Sequence, residues 1–172
     1  MNTKSSSTAL YNLSLTQGKS YLFATLFVIG NIVFPQLCHL YPNGGLIILP
    51  IYFFTLIASY KYGVKVGLIT AILSPVINHV FFGMPPAATL PIILVKSSIL
   101  AIAASVVARK FNRVTLLAVT LAVVAYQLLG GLVEWGITGL LQAALQDVWL
   151  GYPGIFIQIF GGYAVLKYLL KK

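Results

Sequence analysis

The stretch "ATLPIILVKSSILAIAASVVARK", Ala88 to Lys110, decides the class of fold. From Leu90 to Ala108 every position but one is apolar or small. That is the length and character of a helix crossing a bilayer, whose hydrocarbon core takes about 20 residues at ~1.5 Å each. The exception is Lys96. A lysine near the bilayer centre costs about 2.5–3.5 kcal/mol on insertion scales, so it needs a partner or a task.

The rest of the chain has the same character. Hydrophobic residues make up 59% and charged residues 8%, where a soluble domain has about 25% charged. A chain of 172 residues so composed lacks the polar surface to cover a water-soluble globule. An all-α integral membrane protein is expected, with residues 1–20 as a cytoplasmic tail and 21–172 as a single six-helix membrane domain. The six candidate spans are Tyr21–Leu40, Leu46–Tyr60, Tyr62–Phe82, Ala88–Ala108, a fifth from Val114 to between Val133 and Gln142, and Pro153–Leu170. Leu46–Tyr60 is short and holds Pro50. The apolar runs show no sustained alternation, which argues against a β-barrel.

Basic residues set the expected orientation. Ten of the eleven Lys and Arg lie in the N-terminal tail, the Lys61–Lys65 connection, the Arg109–Arg113 connection and the C-terminus. In a six-span chain these share one side, and the connections on the other side have none. The positive-inside rule then puts both termini in the cytoplasm. The net charge of +9 reads as a topology signal, with attraction to anionic lipid as a by-product. Charges spread over four short segments do not make a nucleic-acid-binding face.

Catalytic and metal chemistry find little here. The carboxylates are Glu134 and Asp147, and the histidines are His39 and His79. No nucleophile-elbow or zinc-protease pattern occurs, and two histidines make a poor metal site. The one cysteine, Cys38, allows no internal disulfide, and Leu37 before it is not the small residue that bacterial lipidation prefers. No enzyme activity, resident metal or cofactor is expected.

Polar residues inside the spans are the informative ones, because each is costly in lipid. Most lie toward the outer half: Asn31, Gln36 and His39 in the first span, Asn78 and His79 in the third, Lys96 in the fourth. Gln127, Glu134 and Trp135 follow in the fifth, and Trp149, Tyr152 and Gln158 at the sixth. The inner half has small-residue faces instead: Gly63, Gly67 and Ala71 at four-residue spacing, and Ala101, Ala104 and Ala108. Such stripes let helix backbones approach closely, within the protein or with a partner. An outward pocket and an inward docking surface are expected. Glu134 is the natural counter-charge for Lys96. Counted from Gln142 the two are level, whereas counted from Arg113 Glu134 lies at the outer rim. A helix break at Gly130-Gly131 favours the rim, with Ile137–Trp149 as a short interfacial helix capping the pocket.

From about Leu49 to Arg113 the chain resembles the substrate-binding S components of energy-coupling factor (ECF) vitamin transporters. The resemblance rests on "YKYGVKVGLITAILSPVINHVFFGMPP", Tyr60 to Pro86, and the following "LPIILVKSSILAIAASVVARK". S components share a Gly-rich third helix, Ser-Pro, a Gly-Met-Pro-like outer loop and a small-residue fourth helix. The "GMPP" loop is nearest the pantothenate-like branch.

The resemblance implies a compact bundle of six helices in the bacterial inner (cytoplasmic) membrane, capturing a vitamin or related micronutrient from outside. It implies partnership with an ECF module of one transmembrane coupling protein and two ATPases, which use the ATP. Two departures stand out. The first-helix Ala-x-x-x-Ala docking motif is here only Ser20-x-x-x-Ala24, and Lys96 stands where related sequences often have an acidic residue.

On this reading Lys96 pairs with a solute carboxylate or phosphate. Asn31, His39, Asn78, His79, Glu134 and Gln158 supply polar contacts, and Trp135 and Tyr152 close over an apolar portion. Ser20, Ala24, Gly63, Gly67 and Ala71 form the docking face. A stand-alone carrier using a Lys96–Glu134 pair is the alternative, and a membrane scaffold without a ligand is the third.

Overall fold

Helix α1 (Gly18–Cys38) shows how the bundle is sorted. Its buried positions are Ser20, Ala24, Phe27, Val28, Asn31, Pro35 and Cys38, while Leu22, Leu26, Ile29, Val33 and Leu37 are exposed. Both sets recur every three or four residues, so each is one face of a helix. Here most of the large aliphatic side chains point outward, and the inward face is mainly small or polar, with Phe27 and Val28 also on it. A water-soluble bundle has the opposite arrangement; this one suits a lipid surround, where small residues let helices pack closely. The computed structural model describes Leu10 and residues 12–169. Lys4, Lys171 and Lys172, three of the basic residues expected to set the orientation, lie outside the described residues.

After α1 come α2 (Gly44–Ile48), a 3-10 turn (Pro50–Tyr52), α3 (Phe53–Tyr62), α4 (Val64–Phe82), α5 (Leu90–Phe111), α6 (Leu116–Thr138) and α7 (Leu141–Trp149). The chain then runs through α8 (Tyr152–Phe156), a π turn (Ile157–Gly161), α9 (Gly162–Ala164) and a second π turn (Val165–Leu169). Helices α1, α4, α5 and α6 are long and apolar enough to cross a membrane. A fifth span results if α7 and Tyr152–Tyr168, bent by 57°, count as one. The chain is a multi-pass helical membrane protein.

The expected second span is not continuous. Leu49 adopts a left-handed conformation, φ 49° and ψ 47°, and Pro50 follows without a backbone N–H. These two residues divide Leu46–Tyr60 into α2 and α3. Helix α3 has only ten residues, yet Thr55 to Tyr62 are all buried. It packs against α1, α4 and α5, so protein rather than lipid satisfies its ends.

Helix α6 corrects a second expectation. It passes unbroken through Gly130-Gly131 and stops at Gly139, whose φ of +68° closes the last turn by an N–H bond to the Trp135 carbonyl at 2.8 Å. The expected rim helix is α7, beginning at Leu141 rather than Ile137.

Short connections make α3 to α6 successively antiparallel. One end of the bundle therefore gathers Lys61, Lys65, Arg109, Lys110 and Arg113. The segment before α1 lies on that end instead of hanging free: Leu10 and Leu13 pack on the core, and Leu13 N–H donates to the Tyr62 carbonyl at 3.1 Å.

The small-residue stripe is used inside the chain. A Cβ on Gly67 would lie 2.0 Å from Ser59 Oγ, so only glycine lets α4 approach α3 this closely. Ser20, Ala24, Gly67 and Ala71 are buried by their own chain, and Gly63, half-buried, forms the α3–α4 corner with φ +96°. The face expected to dock a partner is covered in this conformation.

Candidate functional site

Lys96 lies six positions into α5, about 9 Å from its N-terminal end. Its stem runs along α6 at Gly130, where a Cβ would come within 2.8 Å of Lys96 Cγ. The glycine pair is thus a passage for a side chain, not a break. Gly131 faces the α7 backbone, a Cβ there standing 3.4 Å from the Ala144 carbonyl. One turn beyond Gly130, Glu134 meets the Lys96 ammonium through Oε2, which has no other hydrogen-bond partner. The opposing carboxylate comes from α7: Lys96 Nζ donates to Asp147 Oδ2 at 2.8 Å.

The triad is nearly closed to solvent. Lys96 is 3% exposed, Glu134 13% and Asp147 14%. Two carboxylates face one ammonium, so the cluster carries one net negative charge when all three groups are ionised. Removing one partner from a buried ion pair costs about 3–5 kcal/mol, because the other is left uncompensated. This answers the cost of Lys96 within the bilayer: the chain supplies its own counter-ions.

A polar chain adjoins the triad. Gln127 Nε2 donates to Tyr126 Oη at 2.9 Å, and Tyr126 Oη donates to Gln158 Oε1 at 2.8 Å. Tyr52, from the 3-10 turn, lies with its ring centroid 5.3 Å from that of Tyr126. Gln158 Nε2 is buried without a hydrogen-bond partner.

The other expected site residues lie elsewhere. Asn31 and Asn78 belong to a second network between α1, α3 and α4. Pro35 has no N–H, so the Asn31 carbonyl has no acceptor role within its own helix. Asn78 Nδ2 fills that vacancy at 2.8 Å. The Asn31 side chain donates to Thr55 Oγ1 at 3.0 Å and Ser74 Oγ at 3.3 Å, and accepts from Phe54 N–H, at the start of α3, at 3.3 Å. Gln36 Nε2 donates to Asn78 Oδ1 at 3.2 Å. His79 Nδ1 contacts the Pro85 carbonyl at 2.8 Å, and exposed His39 lies beside Gly45. Trp135 and Tyr152 are exposed on the outside of the bundle.

So the structure brings together Lys96 and Glu134, with Gln158 in the adjoining chain. It adds Asp147, Tyr52 and Tyr126, which sequence reasoning left out. The signal for Asp147 was arithmetic: it is the only other carboxylate in a chain of +9, and it shares an α7 face with buried Ala144 three residues earlier. Nothing in the sequence singles out Tyr52 or Tyr126 among ten tyrosines. Among the described residues no three His, Cys, Asp or Glu side chains form a metal site.

Comparison of the chain with family models, with curated proteins and with solved structures found no match.

Proposed function

We propose that the protein is the membrane-embedded solute-binding subunit of an ECF-type importer. It takes a small, water-soluble, carboxylate-bearing micronutrient at Lys96 and delivers it by docking on an ATP-driven module. The observation that carries this reading is the Lys96–Asp147 bond. Asp147 sits on α7, a nine-residue helix flanked by Gly139 and Gly151. In this reading a solute anion takes the place of the Asp147 carboxylate on the ammonium. When α7 lifts, Lys96 keeps Glu134 and offers that place to a solute. Tyr52, Tyr126 and the spare Gln158 amide provide aromatic surface and a hydrogen-bond donor beside it, the mixture usual in ligand sites. The resemblance of Leu49–Arg113 to S components supplies the transporter class and the bacterial cytoplasmic membrane, and the distribution of basic residues supplies the cytoplasmic termini.

The test is binding of a panel of vitamins to purified protein. If Asp147 competes with the solute, Asp147→Ala tightens binding of one anionic vitamin and Lys96→Met abolishes it. Equal binding by wild type and Lys96→Met rejects the site. Co-purification of ATPase subunits with the tagged protein is expected.

The second reading is a stand-alone carrier, favoured by the Lys96–Glu134 contact itself. Its excess carboxylate would take up and release a proton. Proton-coupled uptake by the purified protein alone would select it over the first.

A further inference from the structure

At the basic end of the bundle, a cavity of about 230 Å³ lies between the last turns of α3 and α5 and the segment before α1. Its lining includes Asn12, Ser59, Gly63, Arg109 and Asn112. Both serine hydroxyls are engaged, Ser59 Oγ donating to the Thr55 carbonyl at 2.7 Å and Ser105 Oγ to the Ser59 carbonyl at 3.0 Å. Three donors remain. Arg109 uses Nε on the Ser105 carbonyl at 3.3 Å, and its terminal nitrogens have no partner among the described residues. The amides of Asn12 and Asn112, both exposed, likewise have none.

No acidic side chain competes for this cavity. The chain has two carboxylates, and both are in the triad toward the opposite end of α5 and α6. Exposed Lys65, Lys110 and Arg113 add positive charge nearby. The carbonyl ends of α3 and α5 point here and disfavour an anion, but Arg109 and Lys110 offset them in the last turn of α5. Gly63 also brings the positive N-terminal end of α4 to the cavity wall.

The outer face of α5 identifies the source of the anion. Ile102, Val106 and Arg109 are exposed at i, i+4 and i+7, so they form one stripe that ends in the guanidinium. An acyl chain lying on Ile102 and Val106 brings its headgroup to Arg109. The cavity is smaller than the ~300–1,000 Å³ of small-molecule pockets, which suits a headgroup rather than a whole soluble ligand.

We propose that this cavity binds the phosphate of an anionic phospholipid from the leaflet at the basic end, held by Arg109, Asn12 and Asn112. Arg forks match phosphate oxygens, and basic pockets between membrane helices commonly take such headgroups.

The experiment is native mass spectrometry of the delipidated protein titrated with phosphatidylglycerol or phosphatidylcholine. One phosphatidylglycerol is expected to be retained in preference to phosphatidylcholine. Arg109→Gln, at an exposed position, should weaken that binding about tenfold or more, the scale of a lost charge-assisted hydrogen bond. Asn112→Ala should weaken it less, and Arg109→Lys should keep part of it. Unchanged thermal midpoints show that the variants are folded. Equal retention of the two lipids, or wild-type affinity in Arg109→Gln, overturns the proposal. Displacement of the lipid by millimolar inorganic phosphate also overturns it, in favour of a soluble phosphate.

Discussion

Lys96 and Gly130 are best understood together. The lysine stem occupies the space that any other residue at 130 would fill, since a Cβ would stand 2.8 Å from Lys96 Cγ. Gly130→Ala should therefore cost about 1–3 kcal/mol through overpacking. The same change in a Lys96→Ala background should cost much less, because the obstructing stem is gone. A double-mutant cycle read by denaturation in detergent checks this, and additivity of the two changes would contradict the geometry. Reading Gly130-Gly131 from sequence as a helix break was natural, since glycine weakens helices in water. Only the neighbour across the helix gap shows its purpose, and that neighbour lies 34 positions earlier.

Among the elements, α1 and α4 are joined through the vacancy that Pro35 creates. Asn78 donates to the Asn31 carbonyl that Pro35 cannot bond. Asn78→Ala should cost about 1–3 kcal/mol by leaving that carbonyl buried and unpaired. With Pro35→Ala the restored N–H takes the carbonyl, so the penalty of Asn78→Ala should shrink. A shift in unfolding midpoint that is the same in both backgrounds would refute this account. The long apolar helices were legible from composition because lipid demands length and apolar character of them. Helix α3 was not, because its surroundings are other helices, and the stop at Leu49 needs a left-handed conformation that leucine rarely adopts. Asn31 and Asn78 stood out in the sequence as polar residues in lipid. Their engagement with each other and with Pro35 is a matter of register between two helices, which no single span reveals.

For the molecule as a whole, the distribution of cations predicts the direction in which it sits. In a Cys38→Ser background, cysteine placed at Lys110 should be protected from a membrane-impermeant maleimide in intact cells. Cysteine at Ala87, in the connection at the other end, should be labelled. The reverse pattern would invert the topology and move the triad to the cytoplasmic half. The clustering of cations and the position of Lys96 within an apolar run were both readable along the chain. The identity of the second counter-ion was not, since it depends on how α7 doubles back onto α6, a contact between elements that no single helix shows.

The Lys96–Asp147 bond spans 51 positions of chain. At about 5–20 residues per second, a ribosome makes Asp147 roughly 3–10 s after Lys96. Glu134, 38 positions after Lys96, comes first, so until α6 is made α5 either enters the membrane with a bare ammonium or waits beside the insertion machinery. The counter-charges of Lys96 are therefore supplied by chain made after α5, not by the helix being inserted.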